Sequence, residues 1–111
     1  MKGPNMIKVI QDSKGNDIAL SNGCGYIWRC QEQFNEEPVP LLNDAKNKQS
    51  LLPVLKIAYC MQSKEAIKKQ SFEDFCDSIN QDKYAELSQT VAELISASSP
   101  TVEQVTKTKN S

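Results

Sequence analysis

Leu51-Leu52-Pro53-Val54-Leu55-Lys56-Ile57-Ala58-Tyr59-Cys60-Met61 is apolar nearly all round, with Lys56 its one charged residue. A helix of that kind is buried rather than laid on a surface. Pro53 fits its first turn, where a missing N–H costs little, with a cap near Gln49 or Ser50. The stretch therefore predicts a central helix on which the other elements pack, and a mainly α fold.

Downstream of it, Ser63 to Gln70 is polar and rich in Lys, and reads as a solvated loop or a frayed helix end. Ser71-Phe72-Glu73-Asp74 has the form of an N-cap followed by acids that favour the first helical turn. Phe72, Phe75, Cys76 and Ile79 continue it at helical spacing. Asp82 offers a new cap, and Tyr84, Leu87, Val91, Leu94 and Ile95 form a further amphipathic stripe that Ser98-Ser99-Pro100 stops. Residues 100–111 carry no aromatic and only Val102 and Val105 as large apolar residues, so a disordered, flexible tail is expected.

Upstream, Leu41, Leu42 and Ala45 begin a helical stretch after a connection from Asn35 to Pro40, in which Pro38 and Pro40 forbid a helix interior. Tyr26, Cys30 and Phe34 recur at i, i+4, i+8 and predict a short helix over about Gly25 to Phe34, capped by Ser21 or Asn22. Trp28 and Arg29 lie off that stripe. At the N-terminal end, Ile7 and Val9, then Ile18 and Leu20, place apolar residues on one face at period two, around the polar turn Asp12-Ser13-Lys14-Gly15-Asn16. This is a hairpin over about residues 6–21. The expected whole is one domain over residues 1–99, with four to five helices and an N-terminal β-hairpin, followed by the tail.

The chain has 111 residues, enough for one core without a metal or disulfide staple. It contains no His, which removes the commonest general base and metal ligand and every Ser-His or Cys-His nucleophile. The net charge is -1 and Arg29 is its single Arg, which argues against nucleic acid as a partner. No apolar run approaches the ~20 residues that span a bilayer, so no membrane association is expected. The N-terminus lacks the apolar core of a signal peptide, and a cytoplasmic location follows as the default.

Cys24, Cys30, Cys60 and Cys76 lack the tight Cys-x₂₋₄-Cys pair of zinc sites and read as free thiols. The acid pairs Glu36-Glu37 and Glu73-Asp74 have no motif around them, and Gly23-Cys24-Gly25 is no phosphate loop. An enzyme, a metal and a cofactor are not expected. Trp28 beside Arg29 has the composition of a binding hot spot, or else packs on the hairpin.

The order of elements resembles that of the tail assembly chaperones of long-tailed bacteriophages and prophages of Gram-positive bacteria. The resemblance rests on Ser21-Asn22-Gly23 leading into Tyr26-Ile27-Trp28-Arg29 and Gln33-Phe34, on Leu55-Lys56-Ile57-Ala58-Tyr59-Cys60-Met61, and on Ser71-Phe72-Glu73-Asp74-Phe75. It covers roughly residues 7–97. Asn35 stands where the family usually has Gly, and Pro38 and Pro40 interrupt the next segment.

The resemblance implies a protein of the host bacterial cytoplasm, absent from the mature virion. Such a protein binds the tape measure protein, keeps it from aggregating and helps recruit tail tube subunits. A longer form made by programmed frameshift would reach the tail tube protein. Thr108-Lys109-Asn110 is compatible with the slippery heptamer A-AAA-AAC. Binding would follow the helix-in-groove mode, with Trp28, Arg29, Phe34 and Tyr59 as candidate protein-binding residues and a homo-oligomer as a compatible state. The alternatives are a small helical regulator or antitoxin of a mobile element, for which a basic recognition helix is lacking although Lys64, Lys68 and Lys69 form a small cluster, and a minor structural tail component.

Overall fold

A computed structural model describes residues 6–98 apart from residue 49, with the backbone alone at residues 44, 45, 48 and 98. The tail expected over residues 100–111 lies outside the described residues. The elements are β1 (Ile7–Gln11), β2 (Asp17–Ser21), α1 (Gly25–Phe34), α2 (Pro38–Lys48), α3 (Leu52–Met61), α4 (Lys64–Lys69), α5 (Phe72–Asp77) and α6 (Gln81–Ser98). The mainly α class and the N-terminal hairpin are as the sequence predicts. The helices number six among the described residues rather than four to five.

The central helix is α3. Val54, Ile57, Ala58, Tyr59, Cys60 and Met61 are all buried, and α1, α2, α5, α6 and β2 pack around it. Its N-cap is Leu51, with no side-chain hydrogen bond, rather than Gln49 or Ser50. Pro53 stands in the first turn, where its ring removes no hydrogen bond.

Pro38 and Pro40 do not lie in a connection; they begin α2. The first N–H groups of a helix have no intrahelical acceptor, so two prolines there sacrifice nothing. Leu41 N–H, bonding the Glu37 carbonyl oxygen at 3.3 Å, is the first backbone donor after them. The sharp turn before α2 is made by Asn35, whose φ of 57° and ψ of 36° are left-handed and whose N–H bonds the Gln31 carbonyl at 2.8 Å. Asn tolerates this conformation better than most residues other than Gly.

The segment read as a solvated loop or frayed helix end contains α4, capped by Ser63 Oγ on the Ala66 N–H at 3.1 Å. Ser71 caps α5 in the same way on Asp74, also at 3.1 Å. The last helix begins at Gln81, so Asp82 sits in its first turn instead of capping it.

The hairpin register pairs Ile10 with Ile18 and Lys8 with Leu20. Residues directly opposite share a face, so Ile10, Ile18 and Leu20 face the core. Ile7 and Val9 lie on the outer, exposed face, which corrects the single apolar face read from the sequence. Lys8 takes the fourth inward position and carries its ammonium out to Glu93 on α6.

Candidate functional site: an apolar groove between two helices

The four residues singled out from the sequence do not form one site. Arg29 is half-buried, and its Nε donates to the Cys60 carbonyl oxygen at 2.7 Å, tying α1 to the C-terminal end of α3. Gly25 leaves room for that side chain, since a Cβ there would stand 2.8 Å from Arg29 Nη1. Tyr59 is 2% exposed and faces the interior. Its hydroxyl donates towards the carbonyl oxygens of Gln70 at 2.6 Å and Ile67 at 3.1 Å, so it holds the end of α4 in place. Burial, with Cys60 beside it, keeps that hydroxyl above its ordinary pKa and therefore protonated.

Phe34 is half-buried and joins Tyr59 in an aromatic cluster. Its ring centroid lies 4.8 Å from Phe72 and 6.3 Å from Tyr59, both edge-on. Lys56 Nζ sits 5.4 Å over the Phe34 ring and 2.8 Å from Glu36 Oε1. This cluster joins α1, α3 and α5, and its role is packing.

Trp28 stands apart and is 63% exposed. It lines a shallow depression of about 360 Å³ with Cys24, Ile27, Gln31 and Glu37, none of which belongs to the hairpin. Ser21 and Asn22 do not cap α1. Ser21 Oγ instead accepts from the Gly23 N–H, and Asn22 joins Met6 to Leu94.

The four cysteines form no disulfide. Cys30 and Cys60 are both buried, on α1 and α3, close enough for each thiol to perturb the other. The neighbouring Cys30 thiol and burial hold the Cys60 thiol far above its usual range. Among the described residues no three Cys, Asp or Glu side chains are grouped so as to hold a metal. No helix of the described residues is long and apolar enough to cross a membrane.

A larger concavity, about 620 Å³, opens between α2 and α6. One wall is α2, through Val39, Leu42, Asn43 and Lys46, spaced i, i+3, i+4 and i+7. The other is α6, through Tyr84, Ser88, Val91, Ala92, Ile95 and Ser96. Leu51 and Val54 close it at the start of α3, where the Tyr84 hydroxyl donates to the Leu51 carbonyl oxygen at 3.3 Å.

Val39 is 62% exposed and Leu51 53% exposed, so large apolar side chains stand in solvent on this rim. From Tyr84 to Ser96 the α6 wall runs ~18 Å at ~1.5 Å per residue, the length of about three helical turns. It is a trough with the dimensions and lining that take an amphipathic helix. The sequence reading missed it because its two walls are far apart in the chain. The usable signal was that Tyr84 and Ile95 flank the α6 stripe, outside the fully buried line of Leu87, Val91 and Leu94.

Comparison with protein families, with curated proteins and with solved structures finds no match.

Proposed function

We propose that this protein is a helix-binding chaperone, and that its client is the tape measure protein of a long-tailed phage or prophage. The observation that carries the binding mode is the groove between α2 and α6, with Val39 and Leu51 exposed on its rim. A soluble monomer gains nothing from keeping such side chains in water, whereas a partner helix that covers them contributes roughly 25 cal/mol per Å² of apolar surface buried. A client helix would present residues at i, i+3 or i+4 and i+7 to the groove. One such contact is weak. Many copies along one long helical client bind it together by avidity and cover its apolar stripes before they aggregate.

The client's identity rests on the resemblance of element order. Asn35 fits that resemblance, because its left-handed backbone is one that Gly, the family's usual residue there, adopts without strain. Recruitment of tail tube subunits, through a longer frameshifted form, belongs to the same proposal. So do residence in the host cytoplasm and absence from the finished virion.

The experiment is co-expression with fragments of a tape measure protein from a long-tailed phage or prophage. The expected result is a soluble complex from fragments that precipitate alone. Fragments that remain insoluble, and no complex on gel filtration, overturn the proposal.

A further inference from the structure

Lys46 stands on the α2 wall, one turn beyond Leu42 and Asn43. It is exposed, and no ion pair or hydrogen bond to another described residue engages it. The other described residues lining the groove are all uncharged at neutral pH. Of the acids on the facing helix, Glu93 pairs with Lys8 on β1 and Glu86 with Lys83 at 3.6 Å, and Asp82, in the first turn, does not line the groove. The described lining is therefore an apolar trough with a single positive charge on one rim.

Resting on the helix-seat reading above, we infer that the groove selects amphipathic helices edged with acidic residues, so that a carboxylate meets Lys46 when the apolar stripe is seated. The stripe supplies most of the affinity, and the rim charge supplies discrimination. An exposed pair of this kind shifts affinity by about two- to fivefold at low salt. A basic edge residue meets a like charge and loses a comparable factor. Both effects fade when salt shortens the screening length.

The test uses the full chain and three synthetic amphipathic peptides of matched helicity. They share one Leu stripe and carry Glu, Gln or Lys at its edge positions. The expected order of affinity is Glu over Gln over Lys, about tenfold from end to end at low salt and collapsing at high salt. Lys46→Glu, at an exposed site, is expected to reverse the order. Equal affinity of all three at low salt, or an order that K46E leaves unchanged, overturns the inference and leaves the helix seat standing. Binding of none of the three overturns the helix seat, and this inference with it.

Discussion

Arg29 Nε donates to the carbonyl oxygen of Cys60 at 2.7 Å, joining the middle of α1 to the last turn of α3. The final carbonyls of a helix have no partner within it, and this one is met by a charged donor. Arg29→Ala is expected to lower stability by about 1–2 kcal/mol, because a partly buried acceptor loses a charge-assisted bond. Each kcal/mol lost lowers the thermal midpoint by roughly 4–8 °C in a domain of this size. Lys cannot reproduce the planar fork and should recover only part of the loss. A thermal melt followed by circular dichroism reads it; an unchanged midpoint in R29A would show that water serves the carbonyl equally well.

Asn22 ties the hairpin to the last helix. Its Oδ1 accepts the Met6 N–H at 2.9 Å, and its Nδ2 donates to the Leu94 carbonyl oxygen at 3.2 Å. Asn22→Ala removes both bonds, the one to Met6 part-buried and the one to Leu94 buried, and is expected to cost about 1–2 kcal/mol. Hydrogen exchange should show the loss first in the amides of β1 and β2, since a hairpin alone is marginal in water. Uniform loss across α3 as well would mean that Asn22 serves the whole core rather than the docking of the hairpin.

These two contacts mark what the sequence could and could not convey. The central helix was legible because Pro53 to Met61 is almost wholly apolar and most of it is buried, whereas Leu51 and Leu52 at its start stay exposed, which composition alone does not convey. The cap at Ser71 was legible because it is local. Pro38 and Pro40 misled because a proline that begins a helix and one that blocks it look alike until the first turn is located. The hairpin faces were misassigned because register is set by pairing, and Ile7 or Ile10 alike could have faced inward. The groove was invisible because Leu42 and Ile95 come to line one concavity only in the folded chain. Tyr59 looked like a binding residue because an aromatic in an apolar run does not disclose that its hydroxyl is used internally.

The four thiols should separate by rate. Cys24 is exposed and Cys76 half-buried, while Cys30 and Cys60 are buried. Burial, and then the charge of Asp77, raise the Cys76 thiol above its ordinary pKa and leave less thiolate to react. Titration with an aromatic disulfide reagent near pH 8 is expected to show one fast thiol, one slow one, and two that react only in denaturant. A fast reaction of all four in native buffer would mean that the contact between α1 and α3 opens readily.

Asp12 gives the fold a signature in acid. Burial raises its pKa, but bonds from the N–H groups of Asn16 and Lys14, from the Asn16 side chain, and the Lys14 charge together outweigh it. The net shift is downward from the ordinary value of 3.8. In the window below that value the unfolded chain binds the proton more readily, so stability rises with pH there. The contribution is complete above the ordinary value and is lost as pH falls through the native one. Glu93, lowered by its bonds from Lys8 and Gln89, acts in the same direction, so the comparison needs a matched variant. Asp12→Asn should be less stable than the parent at pH 7, with the gap closing as pH falls below about 4. Parallel stability curves down to pH 2 would remove Asp12 as the cause.

The groove and the Trp28 depression make opposite predictions for binding, and the exposed rim makes them separable. Val39 and Leu51 are more than half exposed, so Val39→Glu and Leu51→Glu should change folding stability by only about 0.5 kcal/mol or less. In a complex that covers them, each would bury a carboxylate against apolar surface, at a cost of about 2 kcal/mol or more. At ~1.4 kcal/mol per tenfold, that is a loss of roughly thirtyfold in affinity for a client helix. Trp28 lies across Glu37 from the start of α2, in a separate depression. Trp28→Ala is expected to leave affinity within about threefold, since a residue outside the covered area contributes little. Titrating one client peptide into all three variants by calorimetry decides between the surfaces. If W28A abolishes binding while V39E and L51E do not, the client seat is the face of α1 that carries Ile27 and Trp28, and the trough between α2 and α6 is not where the helix lies.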